Sequence, residues 1–296
     1  MMKDRVEAWK KAFEGDEQAI LPTLVNFAWN YAAFTTVIQI VRQAPEDDEG
    51  RKKLNSMVLD LLAGGYWANA ILAIRRLVDR GPFNGRRGVN SLWALVQDIK
   101  ASRENLTRAV YVETIAGLPY DYEAIRDRYW DFAMAQPPGG VHVPRELWYE
   151  PSEQRHEEFD WLSGVASDAR SPADLVREDV FIRLENRLGQ LDQVADHATI
   201  FFAHAATEAS RQGRVMDRWG PNEAKQSLQQ VAEVAEFVGR WFCFTGIGDI
   251  LPTAQYDQFE FLDQPLWPGD RALLHEQWDE FGEEVGRWPH IDNQAL

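Results

Sequence analysis

Residues 51–80 read RKKLNSMVLDLLAGGYWANAILAIRRLVDR, and the spacing of the apolar positions there decides the fold class. Leu54, Val58, Leu61, Leu62, Ile71, Ile74, Leu77 and Val78 recur at steps of three and four, the period of one face of an α-helix. A strand would need strict alternation, which is missing. The spacing predicts a helix over 51–80. Gly64 and Gly65 interrupt it, where two glycines either kink a helix or let a neighbour come close.

Working outward, the same period continues in both directions. Residues 2–14 form a short amphipathic pattern. Residues 19–41 contain no charged residue, which is long enough to be tested as a membrane span. They also contain Pro22, Asn26, Asn30, Thr35, Thr36 and Gln39. Amide and hydroxyl groups of that kind are poor solutes in hydrocarbon, so a buried helix of a soluble bundle is expected, with Pro22 in its first turn. Downstream, Asn90 or Ser91 can cap a helix from Leu92 to about Lys100. Residues 103–117 and 121–135 also read as helices.

Residues 136–153 hold Pro137, Pro138, Pro144 and Pro151 with Gly139 and Gly140, a long irregular connection with room for an extended piece at 141–143. Ser171-Pro172 looks like a cap and first turn, opening a long helical run to about Arg211 that bends near Gly189. Gly220-Pro221 opens another helix, ending in Thr245-Gly246-Ile247-Gly248. A last amphipathic helix covers about 269–287. No strand-rich region and no repeat of fixed period is visible. The fold class expected is all-α: one domain over 1–296, a helical bundle with an irregular aromatic C-terminal wrap from about residue 251.

The 296 residues carry 31 Lys and Arg against 47 Asp and Glu, a formal charge of −16. A protein that coats nucleic acid or anionic membrane generally is excluded, unless positive charge is concentrated locally. One region is so concentrated. Residues 51–108 hold eleven basic and four acidic residues, a net +7, which leaves −23 for the rest. Arg75, Arg76, Arg80, Arg86 and Arg87 crowd the end of one helix and the loop GPFNGRRGVNS. Two readings stand: cations favoured by a helix C-terminus and satisfied by internal pairing, or a phosphate-binding patch of guanidinium forks.

The single cysteine, Cys243, excludes an intrachain disulfide framework and any CxxC site. The N-terminus MMKDRVEAWKKAFEGDEQ lacks the apolar core of a secretory leader, and a cytoplasmic location is expected. GxSxG, GxxxxGK[ST] and HExxH are absent, and His142, His156, His275 and His290 show no ligand spacing. No metal or cofactor is expected. Twelve tryptophans are read chiefly as core.

One segment carries chemistry. In Asp196-His197-Ala198-Thr199-Ile200-Phe201-Phe202-Ala203-His204-Ala205-Ala206, His197 and His204 are two helical turns apart and share a face, roughly with Asp196. Imidazole titrates near neutrality and can move a proton during phosphodiester cleavage; a satisfied core histidine is the other reading.

Several pieces resemble one family. Tyr66 to Arg80 followed by Gly88-Val89-Asn90-Ser91-Leu92, then Phe202-Ala203-His204-Ala205-Ala206, then Phe244-Thr245-Gly246, Leu251-Pro252, Tyr256-Asp257 and Pro265-Leu266-Trp267 occur in the order and spacing of HEPN-superfamily proteins of the abortive-infection type. The resemblance spans roughly 60–268. It implies an α-helical bundle that often dimerises, a role in phage defence or toxin–antitoxin pairs, and metal-independent endoribonuclease chemistry. The family motif Arg-x4–6-His places its histidine on His204. It asks for an arginine at 197, 198 or 199, where this chain has His197, Ala198 and Thr199. Two functions follow. In one, His204 transfers the proton, helped by His197 and Asp196, with Arg75, Arg76, Arg80, Arg86 and Arg87 as phosphate contacts. In the other, a non-catalytic HEPN-type homodimer binds RNA or a partner protein.

Overall fold

The computed structural model describes residues 2–136, 142–198, 219–262, 264 and 269–287, with backbone alone at 197 and 198. Among these residues the fold is all-α: no strand occurs, and the only β pairings are the isolated bridges Glu46–Lys52 and Thr107–Leu175. The chain divides into two compact units at Pro252/Thr253.

The helices of the first unit are α1 (Met2–Glu14), α2 (Ile20–Gln43), α3 (Ser56–Leu77), α4 (Leu92–Ala101), α5 (Tyr122–Met134), α6 (Glu150–Ser163), α7 (Glu178–Gly189), α8 (Asp192–Ala198) and α9 (Pro221–Val238). Helix α9 runs through the middle, packing on α2, α3, α4 and α7. Its buried positions Ala224, Leu228, Val231, Ala235 and Val238 follow the helical step, so one continuous stripe meets the core. It passes into a π-helical turn, Gly239–Cys243, against which α1 packs. A Cβ at Gly239 would come within 2.4 Å of the Thr245 carbonyl and 2.5 Å of the Phe13 ring, so glycine is required there.

Polar ties set the angles between elements. Arg5 donates two 2.9 Å hydrogen bonds to Asp98, and the Trp9 indole donates a third at 2.7 Å, fastening α1 to α4. Burial works to raise the Asp98 pKa, and the Arg5 and Trp9 bonds together outweigh it, holding the carboxyl below its ordinary value. Ser91 caps α4: its hydroxyl accepts from the Ala94 amide at 3.0 Å and donates to the Asp79 carbonyl at 2.6 Å. Lys100 and Gln97 of α4 both donate to Glu185 of α7.

Several boundaries differ from the sequence reading, each for a visible reason. Helix α3 starts at Ser56, capped by Asn55, because Arg51 and Lys52 are drawn back onto Asp47 and Glu46. It runs unbroken through Gly64 and Gly65. A Cβ at either would meet nothing within 4 Å, so neither admits a close neighbour. Residues 103–117 form a 3-10 turn at Arg103–Asn105 and a π-helical segment at Val110–Ile115 rather than one α-helix. Ser171-Pro172 opens no helix. The Asp174 carboxylate accepts from the Ser171 amide, Leu175 bridges to Thr107, and α7 begins only at Glu178. Pro151 instead lies in the first turn of α6, which starts inside the stretch read as irregular.

The uncharged run is not a fully buried helix. Along α2 the buried residues are Ile20, Thr23, Leu24, Phe27 and Ala28; along α3 they are Tyr66, Ala70, Ile71, Ile74 and Leu77. Thus the two helices bury the ends far from their connecting loop, while Ile40, Met57, Leu61 and Leu62 near that loop are exposed. Both helices are long and apolar enough to cross a membrane by length and composition. The second unit contains α10 (Arg271–Arg287), along which Leu274, Trp278, Phe281 and Val285 are exposed.

Candidate functional site

The fold sorts the basic residues of segment 51–108 into two groups. Arg51 pairs with Asp47, Lys52 with Glu46, Lys100 with Glu185, and Arg103 with Glu104. Arg80 pairs with Asp192 of α8 and lies 3.9 Å above the Trp93 ring. That position makes Arg80 a tie between α3, α4 and α8 rather than a free phosphate contact. Arg108 is wholly buried, with its guanidinium 2.8 Å from both Asp160 and Asp174 and 2.9 Å from the His156 carbonyl.

The second group has no carboxylate partner among the described residues. It contains Lys53, Arg75, Arg76, Arg86 and Arg87. Arg86 and Arg87 are exposed on the loop between α3 and α4. Arg76 donates to the Gln18 side-chain oxygen, and Arg75 and Arg76 line one cleft between α2 and α3.

That cleft measures about 510 Å³ and is lined by the side-chain amides of Gln18, Asn26, Asn30 and Asn69, together with the Glu17 carboxylate and the apolar Phe27 and Leu72. The local sequence explains the arrangement. Asn26 and Asn30 are one turn apart on α2, and Asn30 Nδ2 donates to the Asn26 carbonyl at 2.8 Å. Asn69, Ala73 and Arg76 follow one stripe of α3, and the small residues Ala70 and Ala73 leave the space between the helices open. An amide side chain both donates and accepts, whereas a guanidinium only donates. Their combination suits a ligand with phosphate oxygens and mixed donor and acceptor edges, which is the chemistry of a nucleotide.

The predicted histidine site is only partly in view. His204 lies outside the described residues, as does the side chain of His197. Asp196 is exposed on α8, and α8 packs along α3, the helix that carries Arg75 and Arg76. Among the described residues no group of three His, Cys, Asp or Glu side chains is placed to hold a metal ion.

Sequence reasoning missed the amides. Asn26 and Asn30 stand out only as groups unsuited to hydrocarbon, and Asn69 is unremarkable until α3 turns it toward α2. It also missed the burial of Arg108, although an arginine flanked by Leu106 and Ala109-Val110-Tyr111-Val112 is a usable warning. Comparison of the chain with family models, with characterised proteins and with solved structures gave no match.

Proposed function

We propose that this chain is an RNA-binding helical protein of the HEPN type acting in phage defence, and that it grips RNA through Arg75, Arg76, Arg86 and Arg87. The single observation that carries the reading is the sorting of charge. In a region of net +7, six bases are paired with acids, while these four guanidiniums, like Lys53, have no carboxylate partner among the described residues, at the end of α3 and in the loop after it. Unpaired guanidiniums fit phosphate oxygens bidentately, and the neighbouring amides can bond base edges. The −23 elsewhere repels RNA and confines binding to this face.

Cleavage belongs to the same reading through the family resemblance. His204 is the proton-transfer residue, helped by His197 and Asp196, in a homodimer working in the cytoplasm without a metal. The test is incubation of purified protein with total RNA and tRNA in EDTA, beside His204→Ala. Cleavage by the wild type alone is expected of a nuclease. Absence of cleavage by both, with RNA still bound, assigns the non-catalytic function. A second reading, docking of a partner protein, is favoured by the exposed apolar residues Leu274, Trp278 and Val285 on α10.

A further inference from the structure

A separate cleft lies where the start of α5 meets α6 and the loop before residue 171. It measures about 390 Å³, within the range of small-molecule sites, and is bordered by Tyr120, Tyr122, Asp121, His156, Asp168 and Arg170. His156 is only 2% exposed. Its Nε2 lies 2.8 Å from the Tyr120 carbonyl. A carbonyl can only accept, so Nε2 carries the hydrogen and Nδ1 of the neutral ring carries a lone pair. Nδ1 is buried and has no hydrogen-bond partner among the described residues. Burial, with the charges of Arg108 and Arg170 behind it, pushes the imidazole pKa down against the Tyr120 bond, so the lone pair is retained at neutral pH. A buried acceptor left unmatched is costly, and it asks for a donor.

The surrounding charge selects the donor. Arg108 and Arg170 are balanced by Asp160 and Asp174: Arg170 contacts Asp160 at 2.7 Å, and Arg108 contacts both acids at 2.8 Å. Arg170 also donates to the Tyr122 hydroxyl at 2.7 Å. Glu123 is opposed by Arg126 at 3.7 Å. Asp121, which caps α5 by accepting from the Ala124 amide at 3.0 Å, and Asp168 are exposed and have no cationic partner among the described residues. The Tyr120 and Tyr122 rings pack on the imidazole, with centroids 4.7 and 5.2 Å from its own. Tyr122 already carries the Arg126 and Arg170 guanidiniums, each 5.8 Å from its centroid, so Tyr120 supplies the aromatic face. Aromatic faces with excess negative charge attract cations.

We infer that this cleft binds a small organic cation bearing N–H groups, an amine or guanidine, which donates to His156 Nδ1 and is held by Asp121, Asp168 and the Tyr120 ring. The inference is independent of the RNA-binding reading, because none of its residues belongs to the α2–α3 cleft.

The test is isothermal titration of the full chain with agmatine, which has both an amine and a guanidine, against tetramethylammonium, which has charge but no N–H. Agmatine is expected to bind with Kd on the order of 0.1 mM, and tetramethylammonium at least about tenfold more weakly. Asp168→Asn, on the exposed rim, is expected to weaken agmatine about threefold, and His156→Phe about tenfold. Should His156→Phe fail to fold, the His156 Nδ1 resonance of the wild type decides: agmatine shifts it from the free lone-pair position toward the hydrogen-bonded one. No binding heat up to about 10 mM agmatine, equal affinity in the folded variants, equal affinity for tetramethylammonium, or an unmoved Nδ1 resonance each overturns the inference.

Discussion

Replacing Arg108 by Met removes the charge at the centre of the α6 region while keeping most of the volume. The guanidinium is fully buried, pairs with Asp160 and Asp174 at 2.8 Å each, and donates to the His156 carbonyl at 2.9 Å. A fourth, longer bond runs to the Ser163 hydroxyl at 3.4 Å, and the acceptors fare differently once the guanidinium is gone. Asp160 keeps Arg170 at 2.7 Å. Asp174, nearly buried, keeps only the Ser171 amide at 2.9 Å, and the His156 carbonyl is left with one lone pair unmet. Breaking a buried ion pair from one side costs about 3–5 kcal/mol, and the surviving Arg170 contact places the value at the lower end, about 3 kcal/mol. For a domain of this size that lowers Tm by about 6–12 °C. Circular dichroism melts and urea titrations read it directly.

The acid branch adds a signed test. Burial works to raise the Asp160 pKa, but the bonds and charges of Arg170 and Arg108 hold it below its ordinary 3.8. A carboxyl depressed on folding contributes stability above its unfolded pKa, and that stability is lost as pH falls through the folded value. The window therefore lies below about pH 4 in the wild type. In Arg108→Met it moves up toward the ordinary range, because one of the two depressing cations is gone. Adding Asp174→Leu should recover part of the loss, since an apolar substitute for both partners is nearly neutral. A Tm change under about 2 °C, or no recovery in the double variant, would refute the argument that the Arg108 cluster is a tight, mutually dependent ion network.

Other expectations concern packing and reactivity. Gly64→Ala and Gly65→Ala, exposed within α3 with nothing near the added carbon, should each raise stability by about 0.5–1 kcal/mol in urea titrations; a loss would mean that α3 needs those glycines after all. Gly239→Ala should cost about 1–3 kcal/mol, because the added carbon meets the Thr245 carbonyl and the Phe13 ring. Burial, then the nearby Glu14 charge, pushes the Cys243 thiol up to about 12. Ellman's reagent at pH 8 should therefore leave native protein unlabelled and react once denaturant unfolds it; prompt labelling of native protein would contradict the burial.

Elements set by local chemistry were legible in the sequence. Pro22, the Ser91 cap and Gly220-Pro221 mark helix starts that the structure has, because capping needs partners only three or four residues away. Ser171-Pro172 carries the same local signal but fails. Asp174 captures the Ser171 amide, Leu175 bridges to Thr107, and Arg103 Nε donates to the Val176 carbonyl, so long-range partners hold that stretch out of a helix. The candidate site divides along the same line. The cluster Arg75 to Arg87 is visible as local charge. Its sorting is not, because the Arg80 partner Asp192 and the Arg108 partner Asp174 lie 112 and 66 residues away. The amide lining is hidden for the same reason, since only the packing of α2 on α3 brings Asn69 to the same cleft as Asn26. His156 looks like an isolated histidine until the chain returns Tyr120 to it, 36 residues distant.

The most direct test of the RNA-binding account is fluorescence anisotropy with a single-stranded RNA at two salt concentrations, comparing the wild type with Arg75→Ala/Arg76→Ala. Each lost phosphate contact should lower the slope of log affinity against log salt by about 0.7, so the double variant should bind more weakly with a slope reduced by about 1.4. Its melting curve should match the wild type, because neither arginine is paired with an acid among the described residues. Equal affinity and equal slope in the two proteins, or no RNA binding by the wild type at low salt, would contradict the account.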